Sequence, residues 1–271
     1  MPELPEVETT RRGIEPHAQG KKVTALVVRN PSLRWPIPGE LAVLLKGQTL
    51  RSVSRRGKYL LLGFARGHVL VHLGMSGSLR VISIQEPPGL HDHVDLQFSD
   101  GTGLRYTDPR RFGCWLWAEG DVLTHKLLVS LGPEPLSEAF TAEYLYQRSR
   151  AKKQNLKTFI MDSHVVVGVG NIYANEALFM AGLRPRRAAG SLSLPKARLL
   201  VGHIKSVLAK AIAQGGTTLK DFVGGDGKPG YFQQKLLVYG RGGEPCRVCH
   251  TPLKEVRVSN RATVYCANCQ H

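Results

Sequence analysis

Short apolar runs broken by glycine, proline and aspartate fill the first half of the chain, and longer stretches with a helical period fill the second. One helix precedes them. Residues 7–14 keep a helical spacing, with Glu6 and Glu8 in the first turn, where the positive end of the helix dipole favours carboxylates. The period then shortens. Residues 22–28, 50–64, 68–71, 78–84, 93–98, 103–106 and 112–117 are rich in Val, Leu and aromatics and are separated by turn residues such as Ser99-Asp100-Gly101. This pattern predicts an all-β block of sandwich type. Past Pro133 and Pro135 the spacing becomes helical again, with Ser137 as the expected N-cap of a segment reaching about Arg150. Helices over 156–161 and 172–181 follow, joined by Val165-Val166-Val167-Gly168-Val169-Gly170-Asn171. From Leu194 to Ala213, Leu200, Ile204, Val207, Leu208, Ala211 and Ile212 lie on one stripe; Ser193 can cap its start and Gly215-Gly216 end it. Asp226-Gly227-Lys228-Pro229-Gly230 predicts a mobile loop.

Charge narrows the partners. The 271 residues are enough for one large or two modest domains. They carry 37 Lys and Arg against 21 Asp and Glu, a formal charge of +16, which favours a polyanion and above all nucleic acid. The excess is uneven: 17 basic and 12 acidic groups up to residue 130 leave +5, whereas 20 and 9 beyond it leave +11. The second half is therefore expected to meet phosphate more heavily. Neither a signal-peptide pattern nor an apolar run of bilayer length is present, so a soluble, intracellular protein is expected.

Four of the five cysteines form two pairs. Cys246 and Cys249 bracket two residues, as do Cys266 and Cys269, and sixteen residues separate the pairs. This is the spacing of a four-thiolate zinc ribbon, a closed structural site without an open position for catalysis. The intervening hairpin, 253–265, carries Lys254, Arg257 and Arg261, placed to meet phosphate. Cys114 stands alone in an apolar run and reads as a small buried hydrophobe.

The candidate chemistry begins at Met1-Pro2-Glu3-Leu4-Pro5-Glu6. Once Met1 is removed, Pro2 is a free secondary amine titrating near about 8, nucleophilic at neutral pH. It can attack an aldehyde-level carbon to give an iminium, an electron sink for later eliminations, while Glu3 moves protons. Taken alone, a proline here equally suits the first turn of a helix. Gly168-Val169-Gly170-Asn171 before a helix can offer N–H groups to an anion, or merely make a helix–helix turn; Lys152, Lys153 and Lys157 on the preceding helix pair favour the anion. Arg55, Arg56 and Lys58 fall on one strand, and His91, Arg105, Arg110 and Arg111 in or near loops. Phe112 beside two guanidinium groups can enter a base stack, although in isolation it reads as the start of a core strand and Met75 as a turn methionine.

Together these motifs closely resemble one family. Met-Pro-Glu-Leu-Pro-Glu-Val-Glu-Thr at the start, Arg-Arg-Gly-Lys-Tyr-Leu at 55–60, His-Leu-Gly-Met-Ser-Gly at 72–77, Thr-Asp-Pro-Arg-Arg-Phe-Gly at 107–113, Val-Gly-Val-Gly-Asn-Ile-Tyr at 167–173 and the ribbon are similar, in order, to the bacterial formamidopyrimidine-DNA glycosylases. The resemblance implies an α+β fold: an N-terminal β-sandwich with an N-terminal helix over 1–130, a helical domain with a helix-two-turn-helix unit around Asn171 over 131–235, and a zinc-ribbon β-hairpin over 236–271. It further implies a monomeric, cytoplasmic, nucleoid-associated enzyme of base-excision repair that holds duplex DNA between its lobes. Such an enzyme removes 8-oxoguanine and formamidopyrimidines and cleaves the abasic strand by β,δ-elimination. One structural Zn2+ is implied, with no nucleotide cofactor and no membrane.

By the same resemblance Pro2 is the nucleophile, Glu3 transfers protons, Lys58 serves β-elimination and Arg261 serves δ-elimination while gripping phosphate. His91, Arg110, Lys152, Lys157 and Asn171 contact DNA; Met75, Arg110 and Phe112 fill the gap left by an extruded base; residues 217–231 cover it; Cys246, Cys249, Cys266 and Cys269 bind zinc. The competing readings are the sister enzyme for oxidised pyrimidines, a non-catalytic zinc-ribbon DNA-binding protein, and an RNA-binding protein. Met75, Arg110, Phe112 and the long Gly-rich loop favour the purine enzyme. The absence of an aromatic stacking platform disfavours RNA.

Overall fold

The computed structural model describes residues 2–215 and 236–271, so the expected cover at 217–231, with the turn at 226–230 inside it, lies outside the described residues. These residues form two compact units, one ending at Val129 and the other built from Ser130–Ala213 and the chain leading to His271. Among them no helix is long and apolar enough to cross a membrane.

The first unit opens with α1 (Leu4–Ala18), which buries Leu4, Val7, Ile14 and Ala18. It starts three residues before the predicted 7–14, because Pro5 in the first turn gives up an N–H that has no helical partner there, and Glu3 with Glu6 forms a capping box. Then come β1 (Val23–Val28), the short α2 (Leu41–Leu45), β2 (Ser52–Arg56), β3 (Tyr59–Gly63), β4 (Gly67–His72), β5 (Ser78–Ser83), β6 (Asp92–Phe98), β7 (Thr102–Thr107) and β8 (Cys114–Glu119). They make two antiparallel sheets, ordered β1-β6-β7-β5 and β2-β3-β4-β8. Alternate residues face a shared core: Leu60 and Leu62 of β3, Val69 and Val71 of β4, Leu79 of β5, Val94, Leu96 and Phe98 of β6, and Trp115 of β8 join Val7 and Ile14 of α1.

Two sequence expectations change here. The run 50–64 is not one strand; Arg56 pairs with Tyr59, and Gly57-Lys58 is the two-residue turn between β2 and β3. Gly57 has φ +58°, as a tight turn with glycine first requires, so Lys58 leaves the strand and sits at a hairpin tip. Likewise the strand predicted from Phe112 begins at Cys114, since Arg111 adopts φ +55° and the chain at 108–112 turns.

The β1-β6-β7-β5 sheet carries a buried ion network. Arg105 and Asp95 are each 1% exposed, with Nε–Oδ1 and Nη2–Oδ2 at 2.9 Å, and Arg29 binds the same carboxylate. Burial alone would raise the Asp95 carboxyl, but hydrogen bonds from Arg105 and Arg29 outweigh it and hold it below the ordinary 3.8. A carboxyl depressed in the folded state stabilises fully above its ordinary value and loses that contribution as pH falls through the folded one. Asp95→Asn is expected to cost about 3–5 kcal/mol in urea unfolding at neutral pH, because Arg29 and the buried Arg105 lose the carboxylate they share, leaving Arg105 only the longer pairs to Glu86 at 3.4 Å and Asp92 at 3.6 Å. The same variant should flatten the acid limb of stability below pH 3.8; an unchanged limb would show that another carboxyl governs it.

The second unit contains α3 (Ala142–Ser149), α4 (Leu156–Met161), α5 (Asn171–Met180), α6 (Leu194–Ala213) and the hairpin β9 (Lys254–Val258) and β10 (Arg261–Tyr265). The helix expected from Ser137 begins later. Thr141 caps it, its Oγ1 accepting from the Tyr144 N–H at 3.0 Å, whereas the Ser137 hydroxyl donates to the Glu134 carbonyl. Asn155 caps α4 in the same way. Lys152 and Lys153, expected on a helix pair, lie exposed in the link between α3 and α4, where Ala151 takes φ +58°. Buried Phe179 of α5 packs into the finger core beside Val238, Leu253 and Val264.

Candidate functional site

In the first unit the N-terminus is built inward. Pro2 is buried, Glu3 is 2% exposed, and the fully buried Glu6 accepts the Glu3 N–H at 2.9 Å, fixing the backbone that carries Glu3. Sequence reading gave Glu6 only a dipole role; its spacing three residues after Glu3 is the capping-box signal that would have found it. One turn on, Glu8 binds Arg11, Arg12 and Arg55. Burial would raise the Glu8 carboxyl, but the three arginines hold it below the usual carboxylate range. Arg55 also donates to the Gly57 carbonyl at 2.8 Å, so one guanidinium ties α1, with Pro2 and Glu3 at its head, to the turn that presents Lys58.

His72, at the end of β4, was not singled out by sequence reading, although it heads the 72–77 motif. Burial pushes its pKa down to about 4, helped by Lys58 and Arg34. It is neutral at physiological pH, and because Nδ1 accepts the Gly74 N–H at 2.9 Å, the ring proton belongs on Nε2. The ring lies 4.8 Å from that of Tyr59, the residue after Lys58. Cys114 behaves as expected of a buried hydrophobe: burial pushes its thiol up to about 12.

Met75 and Phe112 remain partly exposed, at 38% and 44%, on two loops that touch. Gly74 has φ +63°, and a Cβ there would fall 2.6 Å from the Gly113 nitrogen, so only glycine allows this approach. The Arg110 guanidinium lies 4.9 Å from the centre of the Phe112 ring, and His91 is exposed on the neighbouring loop. Cation and aromatic thus stand together at the surface.

In the second unit Arg261 is exposed beside the Ser259-Asn260 turn, both turn residues having positive φ. Lys157, expected as a phosphate contact, is 1% exposed, and its Nζ donates to the Ala262 carbonyl at 3.0 Å and to Thr263 Oγ1 at 2.7 Å. Asn171 Nδ2 donates to the same Ala262 carbonyl, and Asn175 Oδ1 accepts from Val264 N–H. Two of the residues expected to touch DNA therefore grip the strand that carries Arg261. The partners are far off in sequence: Ala262 comes 91 positions after Asn171 and 105 after Lys157. A cavity of about 310 Å³ beside them is lined by Lys157, Thr158, Asp162, Ser259 and Arg261.

The four cysteine Sγ atoms lie within 4.8 Å of one another. Cys246 and Cys269 are 4.0 Å apart and Cys249 and Cys266 3.4 Å, close to the ~3.8 Å edge of a tetrahedron with zinc–sulfur bonds of about 2.3 Å. Amide N–H groups of Val248 and Cys269 approach Sγ of Cys246 and Cys266, as in thiolate knuckles. The residues fit one structural zinc ion, held by all four thiolates.

Three family models match the chain: the formamidopyrimidine-DNA glycosylase N-terminal domain over 1–115, the H2TH domain of the same enzymes over 131–223, and a zinc finger found in FPG and IleRS over 243–271. Formamidopyrimidine-DNA glycosylases of Saccharophagus degradans and Cellvibrio japonicus are 63% and 64% identical over 270 residues, covering all of both chains. The crystal structure of the Thermus thermophilus MutM (FPG) protein superposes with a TM-score of 0.89 at 39% identity, covering 99% of this chain and 98% of that one. A Lactococcus lactis FPG mutant in complex with DNA containing Fapy-dG superposes at 0.93 with 33% identity, covering 99% of both. The chain belongs to the formamidopyrimidine-DNA glycosylase family.

Proposed function

We propose that this protein excises oxidised purines, 8-oxoguanine and formamidopyrimidines, from duplex DNA and cuts the resulting abasic strand on both sides. The observation that carries the reading is the head of α1, where Pro2 and the buried Glu3 are tied through Glu8 and Arg55 to the Lys58 turn. A base inside the duplex must first leave the stack at a cost of a few kcal/mol, and Met75, Arg110 and Phe112 offset this by filling its place. The nitrogen of Pro2, freed of Met1, bonds to C1′ as the bond to the base breaks, and Glu3 supplies the proton that opens the sugar. The iminium acidifies the C2′ hydrogen. Its loss, served by Lys58, breaks the bond to the 3′ oxygen; loss of the C4′ hydrogen, served by Arg261, breaks the bond to the 5′ oxygen.

The electron pair of the glycosidic bond leaves on the base, that of the ring bond on O4′ with the proton from Glu3, and those of the two eliminations on phosphates; water then hydrolyses the remaining iminium and frees Pro2, so the protein supplies a nucleophile, proton carriers and cations. His91, Arg110 and Lys152 contact the DNA, Asn171 and the tip beside Arg261 engage phosphate, and Lys157 supports that tip from beneath. Cys246, Cys249, Cys266 and Cys269 bind the zinc that shapes it. The divisions 1–130, 131–235 and 236–271 serve catalysis, helical DNA binding and the finger, and the enzyme works at the nucleoid. A duplex with one 8-oxoguanine opposite cytosine tests the reading. The expected products are free 8-oxoguanine and a gap with phosphate on both flanks, and an intact strand would overturn it.

A further inference from the structure

The 107–113 motif contains a buried carboxylate that the reaction does not use. Asp108 is fully buried between β7 and β8. Its Oδ2 accepts from the Tyr106 hydroxyl at 3.0 Å and the Gly113 N–H at 2.9 Å, and its Oδ1 accepts from the Arg110 N–H at 3.3 Å. One side chain therefore closes the turn on both flanks of Arg111 and Phe112. Its backbone does the same for the next loop: the Asp108 N–H donates to the His91 carbonyl at 3.0 Å, and its own carbonyl lies 2.9 Å from His93 Nε2.

The turn it closes is strained and crowded. Arg111 takes φ +55°, which L side chains seldom adopt. At Gly113 a Cβ would fall 1.8 Å from the Tyr106 hydroxyl oxygen and 2.2 Å from the His72 carbonyl, so this end of the turn is fitted to its partners with no slack. Burial, then the charge of Asp108, pushes the Tyr106 phenol far above its ordinary value, so it stays a donor at any physiological pH.

We propose that Asp108 is the positioning residue of the gap-filling loop, holding Arg110 and Phe112 in their insertion geometry before DNA arrives and fixing that loop to the one that carries His91. The proposal rests on the reading of Arg110 and Phe112 as gap fillers. A loop ordered in advance spends no binding energy on ordering when the base leaves the stack. Asparagine has the same shape but one oxygen: if that oxygen serves Tyr106 and Gly113, the NH2 group confronts the Arg110 N–H, and the turn opens.

The test follows base extrusion and chemistry separately. Asp108→Asn is expected to lower excision from an 8-oxoguanine:cytosine duplex by at least about ten-fold and to shrink the fluorescence change of a 2-aminopurine beside the lesion. Borohydride trapping on a single-stranded abasic oligonucleotide, which has no duplex stack to refill, should stay within about two-fold of wild type. Should Asp108→Asn fail to fold, Tyr106→Phe, which removes one donor to the carboxylate, is expected to show the same selective loss at about three-fold. Wild-type duplex excision in these variants, or a matching fall in single-strand trapping, overturns the proposal. Phe112→Ala separates the two layers: if it alone loses excision and the fluorescence change, the gap-filling reading stands and Asp108 has no part in it, whereas wild-type behaviour of Phe112→Ala removes that reading and the proposal with it.

Discussion

Borohydride added to the Met1-free protein and a duplex carrying 8-oxoguanine opposite cytosine is expected to freeze a covalent adduct, and Pro2→Gly is expected to lower its yield by at least about 100-fold, about 2.7 kcal/mol of barrier. The argument concerns the kind of amine. A secondary amine that condenses with C1′ can only give a cationic iminium, whereas a primary amine gives an imine that must hold an extra proton to draw electrons as strongly. The pyrrolidine ring also fixes φ, so the nitrogen of buried Pro2 is aimed by the backbone at the head of α1, while glycine at the same place samples many directions. Protein that keeps Met1 is the internal control. Its Pro2 nitrogen is an amide without a free pair for attack, and it should trap nothing. Equal trapping by Pro2→Gly would move the nucleophile elsewhere.

Removing zinc is expected to be nearly as severe for DNA binding and nearly silent for the β-sandwich. Without the ion the four cysteines take up protons and nothing bonds the two knuckles together, and in small zinc-held modules binding supplies about 10–16 kcal/mol of folding free energy. Among the described residues the buried finger core is Val238, Cys246, Leu253, Val264 and Cys266 with Phe179, and Leu237, Cys249 and Cys269 pack against it partly buried, a small apolar cluster to close by itself. Arg261, Ala262 and Thr263 would leave Lys157 and Asn171, and duplex affinity measured by anisotropy should fall by at least about 100-fold, the loss of several phosphate contacts at once. The two four-stranded sheets contain none of the four metal-binding cysteines, so their cooperative unfolding should persist. Normal duplex binding after chelation would show that the finger has no part in recognition.

The sequence shows what local chemistry fixes. The all-β block, most of its strands, α4, α6 and the spacing of the ribbon follow from period, spacing and turn residues, because each signal is complete within a few residues. What it hides depends either on a distant partner or on a tight turn inside an otherwise apolar run. Lys157 lies in a basic cluster that reads as anion-binding, and only the hairpin 105 positions away, accepting from its ammonium, buries it. Lys58 lies within an apolar run that reads as one strand until Arg56 pairs with Tyr59 and leaves Gly57-Lys58 as the turn. Phe112 reads as strand for the same reason, since the Asp108 side chain closes a turn through Arg110 and Gly113 inside a run whose apolar residues continue into β8. Thr141 and Ser137 are equivalent as caps by residue type, but the Ser137 hydroxyl is spent on the Glu134 carbonyl and Thr141 takes the Tyr144 N–H that starts α3.

The inward use of Lys157, Arg105, Arg29 and Arg55 has a consequence for how the protein meets a polyelectrolyte. Asp95 and Glu8 are already counted in the formal +16, so their pairing with these cations leaves the net charge unchanged and decides instead which cations can reach a phosphate. Counterion displacement, and with it the sensitivity of binding to ionic strength, is set by the outward set of lysines and arginines alone.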